Sequence, residues 1–265
     1  MSTKKLFITT DDACRIAYQF DGSADKPVLV LSNSIGTDSS MWDPQIEAFT
    51  KHFRVLRYDS RGHGASDVSK APYSIDRLGR DVVELLDALK IGRVHFCGLS
   101  LGGMVGQWLG IHVPAKVDRL ILCNTSAYLE LGPTERWSDR IASALKADPK
   151  ETAEMFLRNW FPSPLLETDS PIIASIRAGL LATDPQGFAG SYAAVRDMDM
   201  RRTIVLISSP TLVIAGQYDT VTLPSHSELI AATVPRAKLV VLPVVHLSNL
   251  EAPDAFMKVA LDFLL

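Results

Sequence analysis

The sequence predicts an α/β protein: a mostly parallel, eight-stranded sheet with helices on both faces and a helical cap inserted between two strands. Three observations predict it. Short β-rich runs alternate with amphipathic helical patterns along most of the chain. Several of those runs, such as "VLVL" and "LVIA", are apolar at consecutive positions, which suits strands covered on both faces. The alternation then stops between about Ser126 and Val195, where no β-run occurs.

In chain order, Leu6–Thr9, Arg15–Phe20, Val28–Ser32 and Arg54–Tyr58 read as the first four strands. The clearest helix follows, in "YSIDRLGRDVVELLDALK". Ser74 suits its N-cap, and Ile75, Leu78, Val82, Leu85, Leu86 and Leu89 form one apolar stripe. Val94–Cys97 is the next strand, Leu101–Ile111 a helix, and Leu120–Asn124 a strand. Four helical patterns come next, split by Pro133, Pro149, Pro162 with Pro164, Pro171 and Pro185. Strands Thr211–Ala215 and Leu239–Leu242 then resume the alternation. A last helix, from about Pro253 to Leu265, packs on the sheet through Phe256, Val259, Ala260 and Phe263. Residues 1–125 and 196–265 are thus expected to form one core domain, and residues 126–195 a cap.

Composition narrows the classes. The 265 residues are 47% apolar, enough for one large core. Net charge is −3 with signs interspersed and no basic stripe, which speaks against nucleic acid. Acidic and polar residues break up the first twenty positions, so no signal peptide is expected there. No apolar run approaches the roughly 18 residues of a membrane span. Cys14, Cys97 and Cys123 are scattered and odd in number, suggesting neither disulfides nor a zinc site. A reduced, cytoplasmic protein without metal or cofactor is expected, and homo-oligomerisation is left open.

The chemistry centres on "RVHFCGLSLGGMVG". Gly98, Ser100 and Gly102 form G-x-S-x-G between a strand and a helix. Such a turn lifts a serine hydroxyl above the sheet and brings backbone too close for side chains at the glycines. The helix N-terminus also favours an anion at that oxygen. A serine needs a base and a group that orients the base, here in the order serine, acid, histidine. Asp219 follows strand Thr211–Ala215 in "GQYDT", and His246 follows strand Leu239–Leu242 in "PVVHLSNLEAP". Both loops open at the sheet edge where Ser100 sits. Ser100 is therefore read as nucleophile, His246 as general base then acid, and Asp219 as the carboxylate that fixes the imidazole tautomer. The N–H of Leu101 is one oxyanion donor. The second is expected from the loop "LSNSIGTDSSMW", with Ile35 as its donor. His52, His95, His112 and His226 sit in or beside regular elements and read as structural. His63 reads as packed under the site. Asp197 and Asp199 precede a strand instead of following one, and Glu251 reads as structural.

With these residues, the chain resembles the α/β-hydrolase family over nearly its whole length. Within it, "LSNSIGTDSSMWDPQ", "RYDSRGHGASD", "FCGLSLGGMVGQWLG" and "HLSNLEAP" resemble the 3-oxoadipate enol-lactonases of bacterial aromatic catabolism. Ser-Asn-Ser replaces the His-Gly pair of lipase-like relatives, as is usual in that subgroup. Val245 stands where many relatives have a small residue, a departure expected to affect only local packing. The resemblance implies an α/β-hydrolase fold and a reaction: water opens a small acidic lactone to 3-oxoadipate through an acyl-enzyme. The chain is net acidic, so the substrate carboxylate needs a local cation. The cap offers Arg136, Arg140 and Arg158, with Trp137 and Trp160 to shape a dry pocket. Other carboxylesterases, perhydrolases and carbon–carbon hydrolases of this fold share the triad and remain alternatives. Relatives with aspartate at the elbow do not fit Ser100. A silent, ligand-binding receptor would need no ordered acid and base.

Overall fold

A computed structural model describes residues 5–130, 136–168 and 170–265. The strands are β1 (Leu6–Thr9), β2 (Arg15–Asp21), β3 (Val28–Ser32), β4 (Arg54–Tyr58), β5 (Val94–Leu99), β6 (Val117–Cys123), β7 (Thr211–Gly216) and β8 (Lys238–Leu242). They lie side by side in the order β1-β2-β4-β3-β5-β6-β7-β8. β2 runs antiparallel to β1 and β4, and every other pair is parallel. The helices are α1 (Asp43–Thr50), α2 (Ile75–Ala88), α3 (Leu101–His112), α4 (Trp137–Ala144), α5 (Pro149–Trp160), α6 (Ser163–Leu166), α7 (Pro171–Ala182), α8 (Pro185–Arg196), α9 (Pro224–Thr233), α10 (Ser248–Glu251) and α11 (Pro253–Leu264).

Consecutive apolar residues serve two cores, because strand side chains alternate between faces. Val30, Phe96, Leu120, Leu122 and Val213 join the core under α2, α3 and α9. Leu29, Leu31, Cys97, Leu99, Ile121, Leu212 and Ile214 join the other, with Phe49 of α1 and Phe256 of α11. Ser74 caps α2, its hydroxyl accepting from the Arg77 N–H at 3.1 Å. Leu89 lies just past the end of α2 and is partly buried. α11 buries Phe256, Met257, Ala260 and Leu264, whereas Val259 and Phe263 are only partly buried. The buried stripe is rotated from the expected one toward Met257. β8 is an edge strand, so one of its faces is open: Leu239 and Val241 are exposed.

The crossover at β3 positions the site. The chain goes from β3 to β4 on one side and returns to β5 on the other, so β3 lies between them. Loops leaving β3 and β5 then diverge at their carboxyl ends and open a crevice, where open α/β sheets bind ligands.

Among the described residues, α4 to α8 occupy the segment between β6 and β7. The prolines there start helices instead of separating them. Pro149, Pro171 and Pro185 are each the first residue of a helix, where the missing N–H costs nothing. Asp148 and Asp184 cap α5 and α8 with their carboxylates. Pro133 lies outside the described residues. The helices press down where glycine leaves no side chain: a Cβ on Gly36 would sit 2.7 Å from the Phe188 ring, and one on Gly187 would sit 2.1 Å from the Gly62 carbonyl.

Candidate active site

Ser100 ends the β5 turn with φ 56° and ψ −116°, the left-handed side that L-residues avoid. Such a conformation costs on the order of 1–3 kcal/mol and persists only when neighbours over-determine it. They do. The Ser100 N–H donates to the Cys123 carbonyl at 2.9 Å, and the Ser100 carbonyl accepts from the Thr125 hydroxyl at 2.7 Å. The glycines are sterically required. A Cβ on Gly98 would lie 2.1 Å from the Gly102 carbonyl oxygen, and one on Gly102 would lie 2.3 Å from the Ser32 oxygen. Gly98→Ala is therefore expected to cost more than about 3 kcal/mol, since only backbone movement relieves the clash. Gly92→Ala, which meets nothing within 4 Å, is the control. Urea unfolding of both variants checks this; equal midpoints would remove the steric account of the turn.

His246 and Asp219 meet as the chain order suggests. His246 Nδ1 lies 2.7 Å from Asp219 Oδ2, and both side chains are fully buried. The same Asp219 oxygen accepts from Asn124 Nδ2 at 3.1 Å and from the Thr222 hydroxyl at 2.9 Å. Its other oxygen accepts the N–H groups of Val221 at 2.8 Å and Thr222 at 3.0 Å. Burial alone would raise the Asp219 pKa. The charge of His246 and these hydrogen bonds outweigh it, so the carboxyl is held below its ordinary value. With Nδ1 occupied, Nε2 on the opposite edge of the ring is buried and has no partner. Ser100 and His246 line one cavity, and no hydrogen bond joins them in this geometry.

The loop after β3 reaches the same cavity through Ile35. Asn33 braces that loop from both ends. Its side-chain amide donates to the Tyr58 carbonyl at 2.8 Å, and its side-chain oxygen accepts from Trp42 Nε1 at 3.0 Å. Its backbone carbonyl takes the Gly102 N–H at 3.0 Å, tying the loop to the elbow. Leu101 is the first residue of α3, so its N–H has no intrahelical acceptor. Among the described residues, no backbone acceptor is found for the Ile35 N–H either. Ile35 and Leu101 line the cavity together with Ser100, and Leu101 lies at the positive end of α3.

The cavity measures about 350 Å³, the size of a small-ligand site. Trp137, Arg140 and Trp160 line it, as do Glu130, Asn159 and Tyr192. Arg136 and Arg158 do not. Arg136 lines a neighbouring hollow of about 540 Å³ between α4, α5 and α8, and Arg158 lines a groove on the outside of α5. Arg136 precedes α4 as its N-cap residue in extended backbone, and for Arg158 helix phase is the reason. Arg158 precedes Trp160 by two residues, about 200° around α5, while Arg140 is three residues from Trp137 and shares its face of α4. The Arg140 guanidinium carbon lies 5.7 Å from the ring centres of both Trp137 and Tyr192.

The remaining candidates fall elsewhere. Asp197 pairs with Arg196 and Asp199 with Arg201, both at the surface. Glu251 accepts the Val245 N–H at 2.8 Å and so shapes the loop before His246. His63 is buried, with Nδ1 3.0 Å from the Arg61 carbonyl oxygen. Sequence reasoning missed Asn124 and Thr222, which hold Asp219, and Gly216, where a Cβ would lie 1.9 Å from the Val245 carbonyl oxygen. Its one available signal was the polar run "NTS" directly after a wholly apolar strand end.

Comparisons with known proteins agree with this architecture. A family model described as alpha/beta hydrolase fold matches residues 27–253. A 3-oxoadipate enol-lactonase of Acinetobacter baylyi is 37% identical over 249 residues, covering 94% of this chain and 92% of that protein. The crystal structure of a hydrolase from Pseudomonas aeruginosa PA01 superposes with a TM-score of 0.96 at 57% identity, covering 100% of this chain and 99% of that one. The enol-lactonase from Burkholderia xenovorans LB400 superposes with a TM-score of 0.93 at 39% identity, covering 98% and 99%. No helix among the described residues is long and apolar enough to cross a membrane. An elbow serine, a buried acid–histidine pair and a matching family model over most of the sequence converge: the chain belongs to the alpha/beta hydrolase fold family and is a hydrolase.

Proposed function

We propose that this hydrolase opens 3-oxoadipate enol-lactone to 3-oxoadipate. The observation that carries the reading is one cavity lined by Ser100, His246, Ile35 and Leu101, with Arg140 in its cap-side wall. The enol-lactonase relatives support the choice of substrate. The substrate carboxylate forms a planar, two-point pair with Arg140, whose guanidinium lies beside the Trp137 and Tyr192 rings. The lactone carbonyl is thereby presented to Ser100. As the Ser100 oxygen bonds to the carbonyl carbon, its proton passes to His246 Nε2. The charge that develops on the carbonyl oxygen is met by the N–H groups of Ile35 and Leu101, each worth about 3 kcal/mol of barrier. The carbon–oxygen bond of the ring then breaks, and the ring oxygen leaves as an enol that takes the proton from His246. The enol tautomerises to a ketone, which makes the opening hard to reverse. His246 next draws a proton from water, the water oxygen attacks the acyl-enzyme, and Ser100 is regenerated. No cofactor or metal enters these steps.

In this reading residues 126–195 act as a cap over a core formed by 1–125 and 196–265. Cys14, Cys97 and Cys123 are buried free thiols, which suits a reducing cytoplasm.

The direct assay is ultraviolet loss of the enol-lactone chromophore with purified protein. Turnover of neutral short-chain esters with none of the enol-lactone would overturn the substrate assignment in favour of a general esterase. Arg140→Ala is expected to raise KM for the charged lactone by about tenfold or more, the worth of one charge-assisted contact. For a neutral ester of similar size KM should change less than about twofold. Equal changes on both substrates would make Arg140 a wall and not an anion partner.

A further inference from the structure

The cap reaches the catalytic histidine itself. The His246 N–H donates to the carbonyl of Trp160, the last residue of α5, at 3.2 Å. The Trp160 indole lies against the imidazole, with centroids 6.1 Å apart and planes 24° from parallel. Trp160 is 1% exposed and His246 0%. Behind the indole, Phe156 tilts against it at 4.8 Å and stacks on Phe188 at 5.3 Å. The indole cannot swing away without repacking this aromatic column.

We propose that Trp160 is a positioning residue for the reaction: its indole fixes the plane of the His246 ring, and its π face stabilises the imidazolium that forms when Ser100 transfers its proton. This rests on His246 being the general base. Several titratable or charged groups lie around His246. Asp219 sits on Nδ1, Glu251 of α10 holds the adjacent Val245 N–H, and His226 of α9 lies near Asp219. Glu130 and Arg140 share the cavity. None of these side chains is altered in the Trp160 variants, and the Trp160→Phe variant keeps an aromatic ring in the same place. At 6.1 Å between ring centres the contact lies at the outer limit of cation–π range, so it is worth about half a pH unit of protonation.

The test is the pH profile of kcat/KM for wild type, Trp160→Phe, Trp160→Leu and Phe156→Leu. Removing the π face disfavours the imidazolium, so the acid-limb midpoint should fall in the order Trp, Phe, Leu, by about half a unit in total. In Trp160→Leu, kcat should drop about tenfold while KM moves less than about threefold. Trp160→Phe should recover most of kcat. Phe156→Leu loosens the packing behind the indole but keeps its π face, so it should move the midpoint less than Trp160→Leu does. An unmoved midpoint in Trp160→Leu, or an equal movement in Phe156→Leu, overturns the proposal. If the leucine variant does not fold, the phenylalanine midpoint decides: below wild type supports the proposal, and equal to it overturns it. Tryptophan fluorescence gives a readout independent of turnover. Protonated imidazole quenches a stacked indole, so acidification should reveal a component in wild type that Trp160→Phe lacks. Trp108, 4.7 Å from His112, contributes the same background to both. Absence of that component sinks the stack even in an active enzyme. If instead Ser100 is not the nucleophile, the component persists while the catalytic reading fails.

Discussion

Ser100→Ala is expected to fold as wild type does and to turn over enol-lactone about 10⁴- to 10⁶-fold more slowly. In the proposed reaction the hydroxyl is the atom that becomes bonded to substrate, and Ser100 is the cavity-wall residue that precedes α3 at its positive end. The residual rate reports what the Ile35 and Leu101 N–H groups and the binding cavity contribute without a nucleophile. The backbone around position 100 is held by Cys123, Thr125 and the glycine contacts, none of which involves the Ser100 hydroxyl. Circular dichroism and the thermal midpoint should therefore stay close to wild type. A fluorophosphonate probe should add to Ser100 in wild type and leave the alanine variant unmodified. Retention of more than about 1% of the wild-type rate would end the nucleophile assignment.

The second large effect is expected at Asp219→Asn, about 10⁴-fold in kcat with little change in KM. Every neighbour of this carboxylate is a donor: His246 Nδ1, Asn124 Nδ2, the Thr222 hydroxyl and the N–H groups of Val221 and Thr222. An amide must turn an NH₂ group toward some of them. Facing His246, it forces the proton onto Nε2, and the ring can no longer accept from Ser100. In wild type, burial pushes the Asp219 carboxyl up, while His246 and the surrounding donors pull it down further, so it stays ionised well below neutrality. The fall in rate on acidification should accordingly not follow protonation of Asp219. Steady-state kinetics of the purified variant checks this. A loss smaller than about tenfold would mean that Asp219 neither sets the tautomer nor orients the ring.

Much of this site was legible in local sequence. The glycine spacing around Ser100 reports backbone clashes that any chain making this turn must avoid, so it announces the turn directly. Apolar runs of four announce strands buried on both faces, and the residues just past them lie at carboxyl ends of the sheet. That placed Ser100, Asp219 and His246 at one edge. The cap was less legible. Its prolines were readable as interruptions, yet Pro149, Pro171 and Pro185 begin helices, because a proline costs nothing where the first turn has no bond to lose.

By itself, the sequence determined the class of fold, the strained elbow and the chain order of Ser100, Asp219 and His246, because each depends on spacing within a few residues or on chain order. Only the tertiary structure decided which arginine faces the cavity, which groups clamp Asp219, and that Trp160 covers His246. Those contacts join residues 86 to 95 positions apart, between Trp160 and His246 and between Asn124 and Asp219, and a helix rotated by one residue would break them. Local periodicity places a side chain on a face; what that face meets is set by the packing of the whole chain.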